Sequence, residues 1–307
     1  MPFPLRRLPF LALIEVIRNV DVKDIINVIQ MSTWMRKIVK ISKIPIQLYV
    51  VGEVNIHFEK LSDRSGFNTV PLFVAPEKLK QKNLPFEPSV SIHSYDEEVK
   101  GYRGMMDDFV EFFVVESVDL NLSTITSSGI CAKYLEYAMN LGLKLDRVQL
   151  VIQGDCDVDD HRKLLLACAN VPQLQILSST EDPIFDVFRE YSMDRLELII
   201  QHYHDGFKIQ HLLALVNCSS VKIRYADMTD EDLNTFLKVW MTGVGKMRSL
   251  DITIAHEELE MGPINSEVVM NGIANREMQS GFEIEKSNGA RAQVLCRNLR
   301  FSLRNVV

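Results

Sequence analysis

Six short segments set the terms for any fold of this chain. "VDLNL", "VQLVI", "LQILS", "LELII", "VKIRY" and "LDITI" begin at Val118, Val148, Leu174, Leu196, Val221 and Leu250 and share an apolar-x-apolar core. Alternation with a period of two is the pattern of a strand that is buried on one face and wet on the other. Between these segments lie stretches with helical periodicity: "SSGICAKYLEYAMNL", "DVDDHRKLLLACANV", "PIFDVFREY", "GFKIQHLLALVNC" and "TDEDLNTFLKVWMTG". Starts spaced by roughly 20–30 residues leave room for one strand, one helix and little else. The alternation predicts a parallel sheet with helices along one side. A doubly wound sheet would instead need nearly continuous apolar strands. Here the alternate positions Asp119, Gln149, Gln175, Glu197, Lys222 and Asp251 are all polar, which predicts one solvated face.

The flanks differ from this centre. "PIQLYVVGEVNIHFEKL" reads as two strands around Gly52, with "TVPLFVAP" and "SVSIHS" as further short strands. Pro71, Pro76, Pro85 and Pro88 make residues 71–88 a loose stretch. "GYRGMMDDFVEFFVVE" places Met105, Met106, Phe109, Phe112 and Phe113 in a helix-like stripe. Near the end, Asn288-Gly289 inside "GFEIEKSNGARAQVLC" predicts a type I′ hairpin, and "LRFSL" adds a third strand. A short helix is expected over 267–273. A repeat array needs its ends covered, and the antiparallel piece can serve as one such cover.

The first forty residues read as three amphipathic helices. Leu8-Pro9 puts a proline at a helix first turn, where its missing N–H costs nothing. Leu13, Val16, Ile17 and Val20 form one stripe; Asp21 then reads as an N-cap ahead of Ile25, Val28 and Ile29. Ser32 or Thr33 caps a third helix running through Ile38 and Val39. So small a bundle buries too little surface to be comfortable alone. Residues 1–43 hold eight Lys or Arg and three acids, a charge of +5 on a chain whose net charge is −7. The head lacks a dense basic run, and its apolar stripes ask for a hydrophobic protein partner in preference to nucleic acid.

This head is similar to an F-box, the helical module that docks on the Skp-type adaptor of SCF ubiquitin ligases. The family pattern begins with Leu-Pro, here Leu8-Pro9, continues with apolar residues where this chain has Leu13, Val16 and Val20, then Asp-Leu, here Asp24-Ile25, and an apolar position at Val28. In "MSTWMRKIV", Met31 stands where a cysteine is common and Trp34 precedes the basic helix. "FPLRRLPFLALIEVI" together with "RKIVK" resembles more closely the F-box subfamily that carries a type 2 F-box-associated domain, a likeness running more weakly to the C-terminus. A three-helix cap packed on the rest of the chain is the plainer reading of the same residues. The spacing of the central repeat resembles leucine-rich repeats without their asparagine ladder.

The resemblance implies an α/β protein: a three-helix F-box over 1–43, then an irregular leucine-rich-repeat-like solenoid over 44–307 that ends in an antiparallel hairpin. It implies a non-catalytic, substrate-recognition subunit of an intracellular ubiquitin ligase, cytoplasmic or nuclear. Leu8, Pro9, Leu13, Val16, Val20, Asp24, Ile25 and Val28 would then hold the adaptor, and through it the cullin and RING subunits. The alternatives are a repeat scaffold, or an F-box protein that binds partners without promoting ubiquitination.

The residues themselves offer little chemistry. Five scattered cysteines read as reduced thiols, which leaves the N-x-S sequons at Asn121 and Asn217 as chance. No apolar run approaches the roughly 20 residues that span a bilayer, and Glu15 and Arg18 interrupt the stretch that could pass for a signal peptide. His202 and His204 lack a third ligand at a recognisable spacing. The acids Asp155, Asp157, Asp159 and Asp160 fit an acidic helix start better than a calcium loop. "GVG" at Gly243–Gly245 follows a helix, the wrong context for a phosphate loop. Neither metal, cofactor, nucleic acid nor membrane is expected. One surface does stand out. Next to the polar row lies a second outward row, Asn121, Val151, Leu177, Ile199, Arg224 and Thr253. Its aliphatic members Val151, Leu177 and Ile199, with Arg224, are the expected contact site for a protein target, the equal alternative being that the C-terminal hairpin or the 71–88 stretch covers them.

Overall fold

The computed structural model describes residues 8–20, 24–25, 29, 32–51, 55–60, 95–123, 127–153, 157–179, 185–200, 207–254 and 263–306. The chain divides into two compact units, one of residues 1–125 with 133–146 and one of 126–132 with 147–307.

In the first unit, α1 (Phe10–Asn19) starts directly after Pro9 and packs on α2 (Thr33–Ser42). Ser32 caps α2 by accepting a hydrogen bond from the Met35 N–H. Arg18 of α1 donates through Nε to the Ser42 carbonyl at 3.0 Å, which ties the two helix ends together. Helix α1 buries Leu13, Ile14 and Ile17. Val16, expected in that stripe, is 37% exposed, because the inward face is centred between Leu13 and Ile14 and Val16 falls on its flank. Of the expected second helix, Asp24, Ile25 and Ile29 are helical, with Ile25 and Ile29 buried; Asp21 and Val28 lie outside the described residues.

Lys43 alone, at φ +46°, separates α2 from β1 (Ile44–Val51). Strand β1 pairs antiparallel with β2 (Asn55–Lys60) and parallel with β3 (Phe113–Leu122). Ile44, Ile46, Leu48 and Val50 are buried while the residues between them are partly exposed, the alternation the sequence predicts. α3 (Tyr95–Phe112) runs straight into β3. Phe113, expected on the helical stripe, instead opens the strand: Val114 and Val115 are β-branched and favour the pleated surface. Tyr102 of α3 stacks on Tyr134 at 4.1 Å and donates its O–H to the Tyr134 carbonyl at 3.2 Å. Tyr134 belongs to α4 (Ser128–Asn140). The expected strands at "TVPLFVAP" and "SVSIHS" and the loose stretch 71–88 lie outside the described residues.

The second unit is built on a sheet of order β4-β5-β6-β7-β8-β12-β11-β10-β9. Its first part is parallel and sequential: β4 (Leu145–Gln153), β5 (Gln173–Ser179), β6 (Arg195–Ile200), β7 (Ser220–Ala226) and β8 (Ser249–Ile254). The connections carry α5 (Val158–Ala167), a 3₁₀ turn (Asp186–Glu190), α6 (Ile209–Ala214) and α7 (Asp230–Met241). Crossovers between parallel strands are right-handed as a rule, and a series of them that always steps the same way sets its helices on one face. Val148, Leu150, Leu174, Ile176, Leu196, Leu198, Val221, Ile223, Leu250 and Ile252 fill the covered side, and Leu164, Phe188, Leu212, Phe236 and Trp240 answer from the helices.

Four antiparallel strands extend this sheet: β9 (Asn275–Met278), β10 (Gly281–Glu285), β11 (Arg291–Arg297) and β12 (Arg300–Asn305). The third strand expected at "LRFSL" is β12, inserted between β8 and β11. The expected short helix is α8 (Ser266–Val269), capped by Asn265. The β10–β11 hairpin forms where Asn288-Gly289 predicts it, but with a different turn. Gly289 has φ +82° while Asn288 stays out of the left-handed region, and the Gly289 N–H donates to the Lys286 carbonyl at 2.9 Å. This is a type I turn with a left-handed glycine, the three-residue hairpin loop. Its cause is visible. Ser287 donates its N–H to the Met241 carbonyl and its Oγ–H to the Thr242 carbonyl, both at 2.8 Å, so the loop satisfies the last carbonyls of α7.

Candidate protein-interaction surface

Two rows expected to face outward on the sheet of the second unit are confirmed by register. Gln149, Gln175, Glu197, Lys222 and Asp251 stand side by side, and so do Val151, Leu177, Ile199, Arg224 and Thr253. All ten are half-buried, neither core nor fully free. The C-terminal strands do not cover these rows; they continue the sheet laterally, with Ser302 beside Asp251 and Arg300 beside Thr253. Asp119 and Asn121, expected in the same rows, belong to β3 of the first unit.

The polar row is internally tied. Gln149 donates to Gln175 Oε1 at 2.8 Å, and Arg147 reaches the same oxygen at 3.1 Å. Glu197 takes Lys222 at 2.9 Å and Arg224 at 3.2 Å on one carboxylate oxygen. Burial raises the Glu197 pKa, but the Lys222 hydrogen bond and the charges of Lys222, Arg224 and Arg195 outweigh it, so the carboxyl is held below its ordinary range. Asp251 accepts hydrogen bonds from two of the three guanidinium nitrogens of Arg300, Nε and Nη2. Just beyond Arg224, a register shift places Tyr225 at φ +66°, a conformation uncommon for a bulky residue.

A second exposed surface lies on the head. Leu11 is 75% exposed and Phe10 50%, beside exposed Pro9 and half-buried Leu8 and Val20. Leu13 and Ile25 are inside the first unit, so they can support an interface there only from beneath. Asp24 is exposed.

The remaining candidates resolve into structure. Asp157 caps α5 by accepting the Asp159 N–H at 2.7 Å, and Asp159 and Asp160 occupy the positive end of that helix. Asp155, His202 and His204 lie outside the described residues. Among the described residues no group of three or more His, Cys, Asp or Glu is arranged to hold a metal ion, and no helix is long and apolar enough to cross a membrane. Gly243 and Gly245 both have positive φ at the exit of α7, where the chain doubles back to pack on the Val216 carbonyl. Burial pushes the thiols of Cys168 and Cys218 up, and burial with the nearby Asp230 pushes that of Cys296 up to about 11. These three stay protonated at neutral pH and are poor nucleophiles. Sequence reasoning missed one site-shaping feature, the pairing of the cations by Glu197 and Asp251. The signal was present, since both acids occupy the same outward row as Lys222.

Residues 188–249 match the family model described as F-box associated. Over these residues the chain is similar to the F-box associated family. The matched segment runs from the 3₁₀ turn through β6, α6, β7 and α7 to the first residue of β8, and includes Glu197, Ile199, Lys222 and Arg224. The chain is also similar to the Skn-1 dependent zygotic transcript 15 protein of Caenorhabditis elegans, 24% identical over 214 residues, which is 64% of this chain. The match spans 60% of that relative's length. No solved structure matches the chain.

Proposed function

We propose that this protein is the substrate-recognition subunit of an SCF-type ubiquitin ligase. Residues 1–43 are the F-box and bind a Skp-type adaptor, which brings the cullin and RING subunits. Residues 44–307 are a leucine-rich-repeat-like receptor that presents a protein target through Val151, Leu177, Ile199 and Arg224. The observation that carries this reading is the F-box associated match over β6–α7, which contributes Glu197, Ile199, Lys222 and Arg224 to the outward rows. The exposed Leu11 and Phe10 beside Pro9 support the adaptor side. The mechanism is proximity: the receptor raises the effective concentration of a target lysine near a charged thioester, and contributes no catalytic group.

Co-purification with a Skp-type adaptor tests the reading. Burying a side chain such as leucine is worth about 1.5–3 kcal/mol, so the double change Leu8→Ala with Pro9→Ala should weaken adaptor capture about tenfold or more. Equal capture by wild type and double variant would overturn the F-box assignment.

A further inference from the structure

The charge of the open sheet face runs against that of the chain. Three parallel rows cross β4–β8 and β12: the two described above and a third, Arg147, Gln173, Arg195, Ser220, Ser249 and Arg304, in register throughout. Together the rows hold six cations, Arg147, Arg195, Lys222, Arg224, Arg300 and Arg304, against two carboxylates, Glu197 and Asp251. The net charge of this face is therefore +4, on a chain whose net charge is −7. Glu197 and Asp251 engage three of the cations. Arg195 and Arg304 are exposed and form no ion pair with a described residue; the Ser220–Ser249 hydroxyl pair, 2.8 Å apart, sits between them. Next to this field lies the aliphatic trio Val151, Leu177 and Ile199.

From this complementarity we infer that the surface takes an acidic, extended segment of the target carrying an aliphatic anchor. The inference rests on the receptor reading above and names the partner class for that same surface. Arginines dominate the cations, and a guanidinium fork grips carboxylates in a way a point charge does not. The partner's carboxylates meet Arg195 and Arg304 first and compete for Lys222, Arg224 and Arg300, while its anchor covers Ile199 and Leu177. Six strands at about 4.8 Å make a face roughly 24 Å wide, which an extended segment of about seven residues crosses. A nucleic acid fits less well. None of the three rows contains an aromatic residue to stack a base, and the two carboxylates in the middle row would face phosphates.

The test titrates the full-length chain with a fluorescein-labelled peptide of about ten residues, built of glutamates around a central leucine. Three further probes are the same peptide with lysine for glutamate, the same with serine for leucine, and a single-stranded oligothymidylate. The acidic leucine peptide should bind, more weakly at higher salt; the lysine peptide should not bind, and the serine peptide should bind several-fold less tightly. Arg195→Glu with Arg304→Glu should weaken the acidic peptide about tenfold or more at an unchanged melting temperature. Ile199→Asp should also weaken it without a drop in melting temperature. Glu197→Gln releases Lys222 and Arg224 and should tighten binding. Equal binding of the lysine peptide, indifference to the Arg195 and Arg304 reversals, tighter binding of the oligothymidylate, or no binding of any peptide would each overturn the inference. Adaptor capture is measured on the same preparations. Retained adaptor without acidic-peptide binding overturns only the partner class, whereas peptide binding without adaptor capture overturns the ligase reading and leaves the surface standing.

Discussion

Gly245 and Gly142 share a backbone conformation, at φ +81° and +70°, yet they are constrained to different degrees. A Cβ on Gly142 would stand in open space, whereas one on Gly245 would meet the Val216 carbonyl oxygen. That carbonyl already accepts the Lys246 N–H at 2.9 Å and the Met247 N–H at 3.0 Å, so it is held in place. Gly142→Ala should cost only the left-handed penalty, about 1 kcal/mol. Gly245→Ala adds the collision and should cost about 2–3 kcal/mol. Urea unfolding of both variants checks the ordering, and equal midpoints would refute it. The same comparison shows what a single residue reveals in sequence. Glycine after a helix announces positive φ at both sites, and "GVG" at Gly243–Gly245 was readable as a helix exit. The approach of Val216 was not readable, because it joins segments nearly thirty residues apart and leaves no periodic trace.

At the scale of elements, local pattern carried far. All six apolar-x-apolar cores lie within strands, and the Asn288-Gly289 hairpin is where its dipeptide puts it. What failed was decided by neighbours. The turn type changed because Ser287 is held by the end of α7, and β3 begins five residues before Val118 because strand propensity won over the helical stripe. The outward rows were legible because a period of two fixes which residues share a face, and parallel neighbours in register did the rest. The ion pairs across them depend on side-chain reach, which alternation does not encode. Asn234 shows how elements are joined off the sheet. Its Nδ2 on α7 donates to the Val269 carbonyl at 2.8 Å and the Asn271 carbonyl at 2.9 Å, both at the end of α8. Asn234→Ala leaves at least one buried carbonyl without its donor and should cost about 2 kcal/mol. Thermal unfolding measures it; a shift within error would mean that another donor replaces Asn234.

For the whole molecule, the open question is whether the head is a free module. Met35, Ile38 and Val39 of α2 are buried, Arg36 lies over the Phe112 ring at 5.9 Å, and Lys40 pairs with Glu111 at 3.3 Å. One residue separates α2 from β1. A head joined this closely to α3 and β1 is part of the core of the first unit as well as a proposed docking site. Residues 44–307 alone should therefore lose adaptor capture and also uncover apolar surface on α3. Calorimetry of this deletion should show the first unit melting earlier than in the full chain, while the transition of the second unit, whose sheet and helices contain no residue of the head, stays where it was. A single unchanged transition would show that the head contributes nothing to the core beneath it. Loss of both transitions would instead mean that the second unit depends on the head. The early transition of the first unit alone distinguishes a docking module that shares its hydrophobic core with the receptor from one that is merely attached to it.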